Sequence, residues 1–154
     1  GRFNKLFYYQ TRLMWPRTFD ARLASWHQLR RQCADLAITQ CLESINRWWF
    51  ASPWVPYHLH WDERASWPDP WQLLEDNIYC ELARALGIMY TIVLLERSDI
   101  QTAQLIEVDS HNLVVLSQEK YILNWDRDQI VNINLTVSKT KRIVSQAQLK
   151  QQVK

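Results

Sequence analysis

Three cysteines, four histidines and sixteen carboxylates are the side chains with which this 154-residue protein could do chemistry. Cys80 would act as a nucleophile only with a base in hydrogen-bond reach to take its proton and a third group to hold that base. His111 and Asp126 are the downstream residues that could complete such a set. The spacing around Cys80 argues against it. Asp69-Pro70 reads as an N-cap followed by proline in the first turn, Trp71, Leu74, Ile78, Leu82 and Ala85/Leu86 make a buried stripe, and Gly87 closes the helix, which predicts a helix over 70 to 86. Cys80 then lies about three turns in, away from the free N–H groups and positive end of the helix, and reads as core packing. Cys33 and Cys41, eight apart on one helix face, read the same way. His58, His60 and Asp62 would share one face if their segment were a strand, a three-ligand alternative with no fourth donor in view, so no metal is expected. With one internal glycine no phosphate-cradling loop can be drawn, and no cofactor or small-molecule ligand is expected.

The elements that must position these residues follow from periodicity. Residues 1–19 mix rings with bases and read as an arm. From Asp20, a candidate N-cap, apolar residues recur every three or four positions to Trp48/Trp49, predicting one long helix over 20–50. Residues 51–68, rich in tryptophan and interrupted by proline, read as an extended connector. After Gly87 the period falls to two. Runs at 88–96, 101–109, 112–117, 120–126 and 129–137, separated by hairpin-sized gaps, predict an antiparallel meander of about five strands. Residues 145–153 read as a short terminal helix within a basic tail, 138–154. The fold class expected is α+β, with two main helices packed on one sheet in a single domain over 20–137.

Composition bounds what such a domain does. No run approaches a membrane span, and the odd cysteine count without paired spacing points to reduced thiols and folding in a cytoplasm. Net charge is +2, yet residues 62 to 109 hold ten acids against three arginines, a local −7, while both ends carry bases and no acid. Nine tryptophans give much rigid contact area. Trp15, Trp48, Trp49, Trp54, Trp61 and Trp67, with Arg12 and Arg17, are therefore the candidate interface residues. The basic, aromatic arm also suits single-stranded nucleic acid, by stacking and phosphate neutralisation, although its few bases favour docking on protein.

A helix followed by a meander, with Arg84-Ala85-Leu86-Gly87-Ile88 at the junction and Tyr121-Ile122-Leu123-Asn124-Trp125-Asp126 two strands on, resembles the core of transglutaminase-like and papain-like cysteine enzymes over about residues 69 to 128. The resemblance implies a cysteine opening the helix, a histidine on the next strand and an aspartate on the one after. Leu86-Gly87-Ile88 and Trp125-Asp126 match. The place of the family's cysteine falls on Trp71 or Gln72, and His111 lies in a turn beyond the strand that should carry it. Residues Trp67-Pro68-Asp69-Pro70-Trp71 through Ile92, with Trp26-His27-Gln28-Leu29 and Arg47-Trp48-Trp49-Phe50 before them, are also similar to small uncharacterised proteins of tailed bacteriophages, particularly those infecting cyanobacteria. That similarity implies a non-catalytic structural component of a connector, tail or baseplate. It would dock on other virion proteins or on copies of itself, with no membrane partner, and would reside in the virion and in host cytoplasm during assembly. The alternatives are a cysteine acyl transferase or peptidase using Cys80, His111 and Asp126, and single-stranded nucleic-acid binding by the arm.

Overall fold

A computed structural model describes residues 14–117, 120–131 and 140–153. The architecture is α+β, helices on one face of a four-stranded antiparallel sheet, as the order of periodicities predicts.

The stretch expected as one helix over 20–50 is two, α1 (Phe19–Asp35) and α2 (Ile38–Phe50). Thr18, rather than Asp20, caps α1 by accepting the Ala21 N–H at 3.1 Å. At Leu36 the backbone turns extended, and Arg97 Nη1 donates to the carbonyls of Cys33 (2.8 Å) and Leu36 (2.5 Å). A guanidinium from far along the chain thus satisfies carbonyls that helix continuation would have used. The interruption keeps the apolar phase, so spacing alone does not reveal it.

The connector expected to be extended over 51–68 winds into a short 3-10 turn over Trp61–Ser66, and α3 (Pro70–Asp76) then begins as expected, with Asp69 Oδ1 accepting the Gln72 N–H at 2.8 Å. It ends after seven residues at Asn77, whose φ of 55° lies in the left-handed region. A second helix, α4 (Glu81–Leu95), then runs straight through Gly87 and through all but the last residue of the run expected as a strand over 88–96. α4 is the central element, buried on nearly all sides. Such a helix carries no polar stripe, and an apolar run rich in β-branched residues cannot be told from a strand by period.

Gly87 is therefore not a cap. It sits mid-helix under Trp49, and a Cβ there would lie 2.5 Å from Trp49 Cζ3. Gly87→Ala is accordingly expected to destabilise the protein by about 1–3 kcal/mol despite alanine's better helix propensity, measured as a lower thermal midpoint.

The sheet comprises β1 (Gln104–Val108), β2 (His111–Leu116), β3 (Tyr121–Leu123) and β4 (Thr140–Ser145) in the order β3-β2-β1-β4. β1 to β3 form the expected meander, with Leu105 opposite Val114 and Val114 opposite Leu123. β4 pairs with β1 from within the segment expected as a tail, so the described residues 140–145 are part of the sheet. It leads through a Ser145–Gln148 capping box into α5 (Gln146–Lys150), whose Leu149 is buried. The fifth strand expected over 129–137 lies largely outside the described residues; within its described part, 129–131, Val131 forms an antiparallel bridge with Tyr121. Most of the arm, including Arg12 and with it the nucleic-acid reading, also lies outside them.

Candidate functional site

The break at Asn77 decides where Cys80 stands. Residues 78–80 run extended, and the connector lies alongside them: Trp54 bridges Tyr79 in parallel, and the Val55 N–H donates to Tyr79 O at 2.9 Å. α4 begins immediately afterwards, so Cys80 is its N-cap and not a mid-helix residue. Its Sγ accepts the N–H groups of Ala83 at 3.5 Å and of Leu59, from the connector, at 3.4 Å. The expectation that Cys80 lies mid-helix is thereby corrected, since it stands at the helix start, while its burial in the hydrophobic core is as expected. Cys80 is only 3% exposed, but it lines an open cavity of about 480 Å³ between the connector and the sheet.

His111 lines the same cavity. It is the first residue of β2, delivered by a tight turn whose Asp109 and Ser110 both have left-handed φ, 49° and 66°. The imidazole is 69% exposed, and its Nδ1 lies 3.5 Å from Glu81 Oε2. Glu81 Oε1 in turn accepts the Asn112 N–H at 2.6 Å and Asn112 Nδ2 at 3.2 Å, while Asn112 Oδ1 accepts Trp61 Nε1 at 2.7 Å. The first turn of α4, the start of β2 and the connector are thus tied together around one space. Among the described residues no hydrogen bond joins Cys80 to His111.

Asp126 takes no part. Its carboxylate accepts the Asp128 N–H at 2.8 Å, and its carbonyl accepts Asn46 Nδ2 at 2.7 Å. Asn124, two residues earlier in the same run, is the buried polar group at the end of β3. Its Nδ2 donates to Glu81 O (3.0 Å) and Asn112 O (2.8 Å), and its Oδ1 accepts Arg84 Nε at 2.5 Å. The sequence reading passed over Glu81, Asn112 and Asn124. The adjacency of Glu81 to Cys80 was the available clue, but with Cys80 placed mid-helix it pointed nowhere.

The other candidates separate. Among the described residues no three potential ligands come together around a metal position, so His58, His60 and Asp62 do not form one. His60 packs edge-on against Tyr57, and Asp62 Oδ1 pairs with Arg142 Nη1 at 3.1 Å. Trp49 and Trp67 are buried and cannot anchor a partner. Trp15 packs on Trp48 and donates Nε1 to Asn77 Oδ1, and Trp61 packs on Trp67. Trp54 remains 58% exposed on the cavity's rim. Arg17 is exposed and offers its carbonyl to the buried Arg22. Cys33 and Cys41 are wholly buried free thiols, and the Cys33 proton is held tightly, first by the hydrogen bond with Cys41 and then by burial. Among the described residues no helix is long and apolar enough to cross a membrane.

Comparison of the chain with protein-family models, with curated proteins and with solved structures finds no match.

Proposed function

We propose that Cys80 and His111 form the reacting pair of a thiol-dependent acyl-transfer site of transglutaminase-like type, a peptidase, amidase or amine acyl transferase. The observation that carries this reading is Cys80 at the start of α4, its sulfur accepting two backbone N–H groups inside the cavity that His111 lines. The chemistry follows from the groups present. Sγ attacks a carbonyl carbon as the imidazole takes its proton, and the proton passes to the departing amine or alcohol, leaving a thioester. Water or a second amine then attacks the thioester, losing a proton through the imidazole back to sulfur. The reading requires the 69% exposed ring to turn toward the sulfur when substrate enters, as catalytic hydrogen bonds tighten in the loaded site.

The test is alkylation of the folded protein with iodoacetamide, read by peptide mass spectrometry. Cys80 is expected to react while Cys33 and Cys41 stay unmodified, and His111→Ala should slow the reaction by about 10²-fold, the lower range for loss of a positioned base. His111 is a surface residue, so its removal should leave the melting temperature nearly unchanged. A Cys80 that reacts equally fast without the imidazole sinks the reading.

A second reading keeps the fold and drops the chemistry: a docking component of a tailed-phage particle, binding other virion proteins or copies of itself. The exposed rings of Trp54 and Tyr57, at 58% and 72%, on the rim of the same cavity favour it. Alkylation indifferent to His111 is the result this reading expects.

A further inference from the structure

We infer that Glu81, the residue directly after the nucleophile, is the positioning residue for His111, a role that neither Asn124 nor Asp126 fills. The inference rests on the Cys80–His111 reading above. Every polar atom of the Asn124 side chain is committed to Glu81 O, Asn112 O or Arg84 Nε, and the Asp126 carboxylate accepts the Asp128 N–H within its own loop while its carbonyl accepts Asn46 Nδ2. The two further carboxylates lining the cavity, Asp62 and Glu107, both face Arg142, at 3.1 and 3.6 Å. Glu81 alone among these carboxylates reaches the imidazole, with Oε2 3.5 Å from Nδ1, and its other oxygen is pinned by Asn112.

A carboxylate at Nδ1 holds the proton there and leaves Nε2 as the lone-pair nitrogen that can take a proton from sulfur. Nucleophile and orienting acid then come from adjacent residues of one helix start, so the pair moves as a unit. The alternative role for Glu81 is purely structural, joining α4 to β2 through Asn112. The substitution Glu81→Gln retains an oxygen acceptor for that bond and replaces the charged oxygen facing His111 Nδ1 with an NH2 donor.

Two measurements on the whole chain test this. Long-range proton–nitrogen correlation spectra in mildly alkaline buffer should show His111 protonated at Nδ1 in the wild type and lose that preference in Glu81→Gln. The Cys80 alkylation rate should fall about tenfold in Glu81→Gln, within the coupling range of contacting residues, and fall no further when Glu81→Gln is added to His111→Ala. An unchanged tautomer, or an equal fall with and without the imidazole, overturns the assignment. Histidine-dependent alkylation untouched by Glu81→Gln rejects Glu81 while the parent reading stands, whereas alkylation indifferent to His111 rejects both.

Discussion

Trp49→Ala is expected to cost about 3–5 kcal/mol, the range for truncating a buried tryptophan and a large part of the stability of a domain this size. Trp49 is 1% exposed and stands among the rings of Trp26, Trp48 and Tyr79, with centroids 6.4, 4.9 and 5.8 Å away. Its Nε1 donates to Thr91 Oγ1 at 2.9 Å, which also accepts Trp26 Nε1 at 2.9 Å and donates to Gly87 O at 2.8 Å. A single hydroxyl therefore joins α1, α2 and α4, and the indole fills the space that Gly87 leaves open. Denaturant titration measures the loss. Trp49→Phe should recover most of the packing and forfeit about 1 kcal/mol for the hydrogen bond. The pairing with Gly87 gives a sharper check, since Gly87→Ala should be nearly harmless once the ring above it is gone. Additive costs in the double variant would show that the two residues do not share that contact.

That contact marks where the fold stopped being legible in the sequence. The strands of β1 to β3 were readable because each is a short apolar run, rich in β-branched residues, beside a polar gap, and α3 because Asp69-Pro70 is an unambiguous start. Gly87 misled because the same residue serves two unrelated needs. A helix terminator wants its tolerance of positive φ, whereas Trp49 wants its missing Cβ, and local sequence does not distinguish them. Once Gly87 was read as a stop, the buried residues after it became a strand by default. β4 was missed for a different reason. Its alternation is short and its bases are prominent, and pairing with β1 is visible only in three dimensions.

The site was half legible for a related reason. Cys80, His111 and Asp62 were singled out by type, and all three line the cavity, but the distance of Cys80 from a helix start hung on whether the helix broke at Asn77. Asparagine is one of the few residues that enters the left-handed region cheaply, so Asn77 carried a stop signal that the steady stripe of Leu74, Ile78 and Leu82 outweighed. The tryptophans read as interface anchors mostly serve the inside of the molecule. Five of the six pack on other rings here, because a domain with one internal glycine and large rings fills its volume with indoles.

Asn124→Ala should be nearly as damaging as loss of Trp49, at about 4 kcal/mol, and for a different cause. The side chain bonds Glu81 O, Asn112 O and Arg84 Nε, and leaving three part-buried groups unpaired costs about 1 kcal/mol each. Asn124 also has φ 75°, which asparagine tolerates and alanine meets with ~1 kcal/mol of strain. Asn124→Gly separates the contributions, since it relieves the strain without restoring the bonds, and should sit about 1 kcal/mol above the alanine variant in denaturant titrations. The main-chain N–H of Asn124 is held by Asn46 Oδ1 at 2.9 Å, so the brace runs from α2 through β3 to the first turn of α4. Its loss frees the carbonyl of Glu81 and the neighbour of His111 together. Cys80 alkylation should therefore slow in the asparagine variants even where the protein remains folded, because the helix start and the β2 start lose their common tie. Stability lost with an unaltered alkylation rate would mean that Asn124 supports the fold alone and that Cys80 and His111 are held by other contacts.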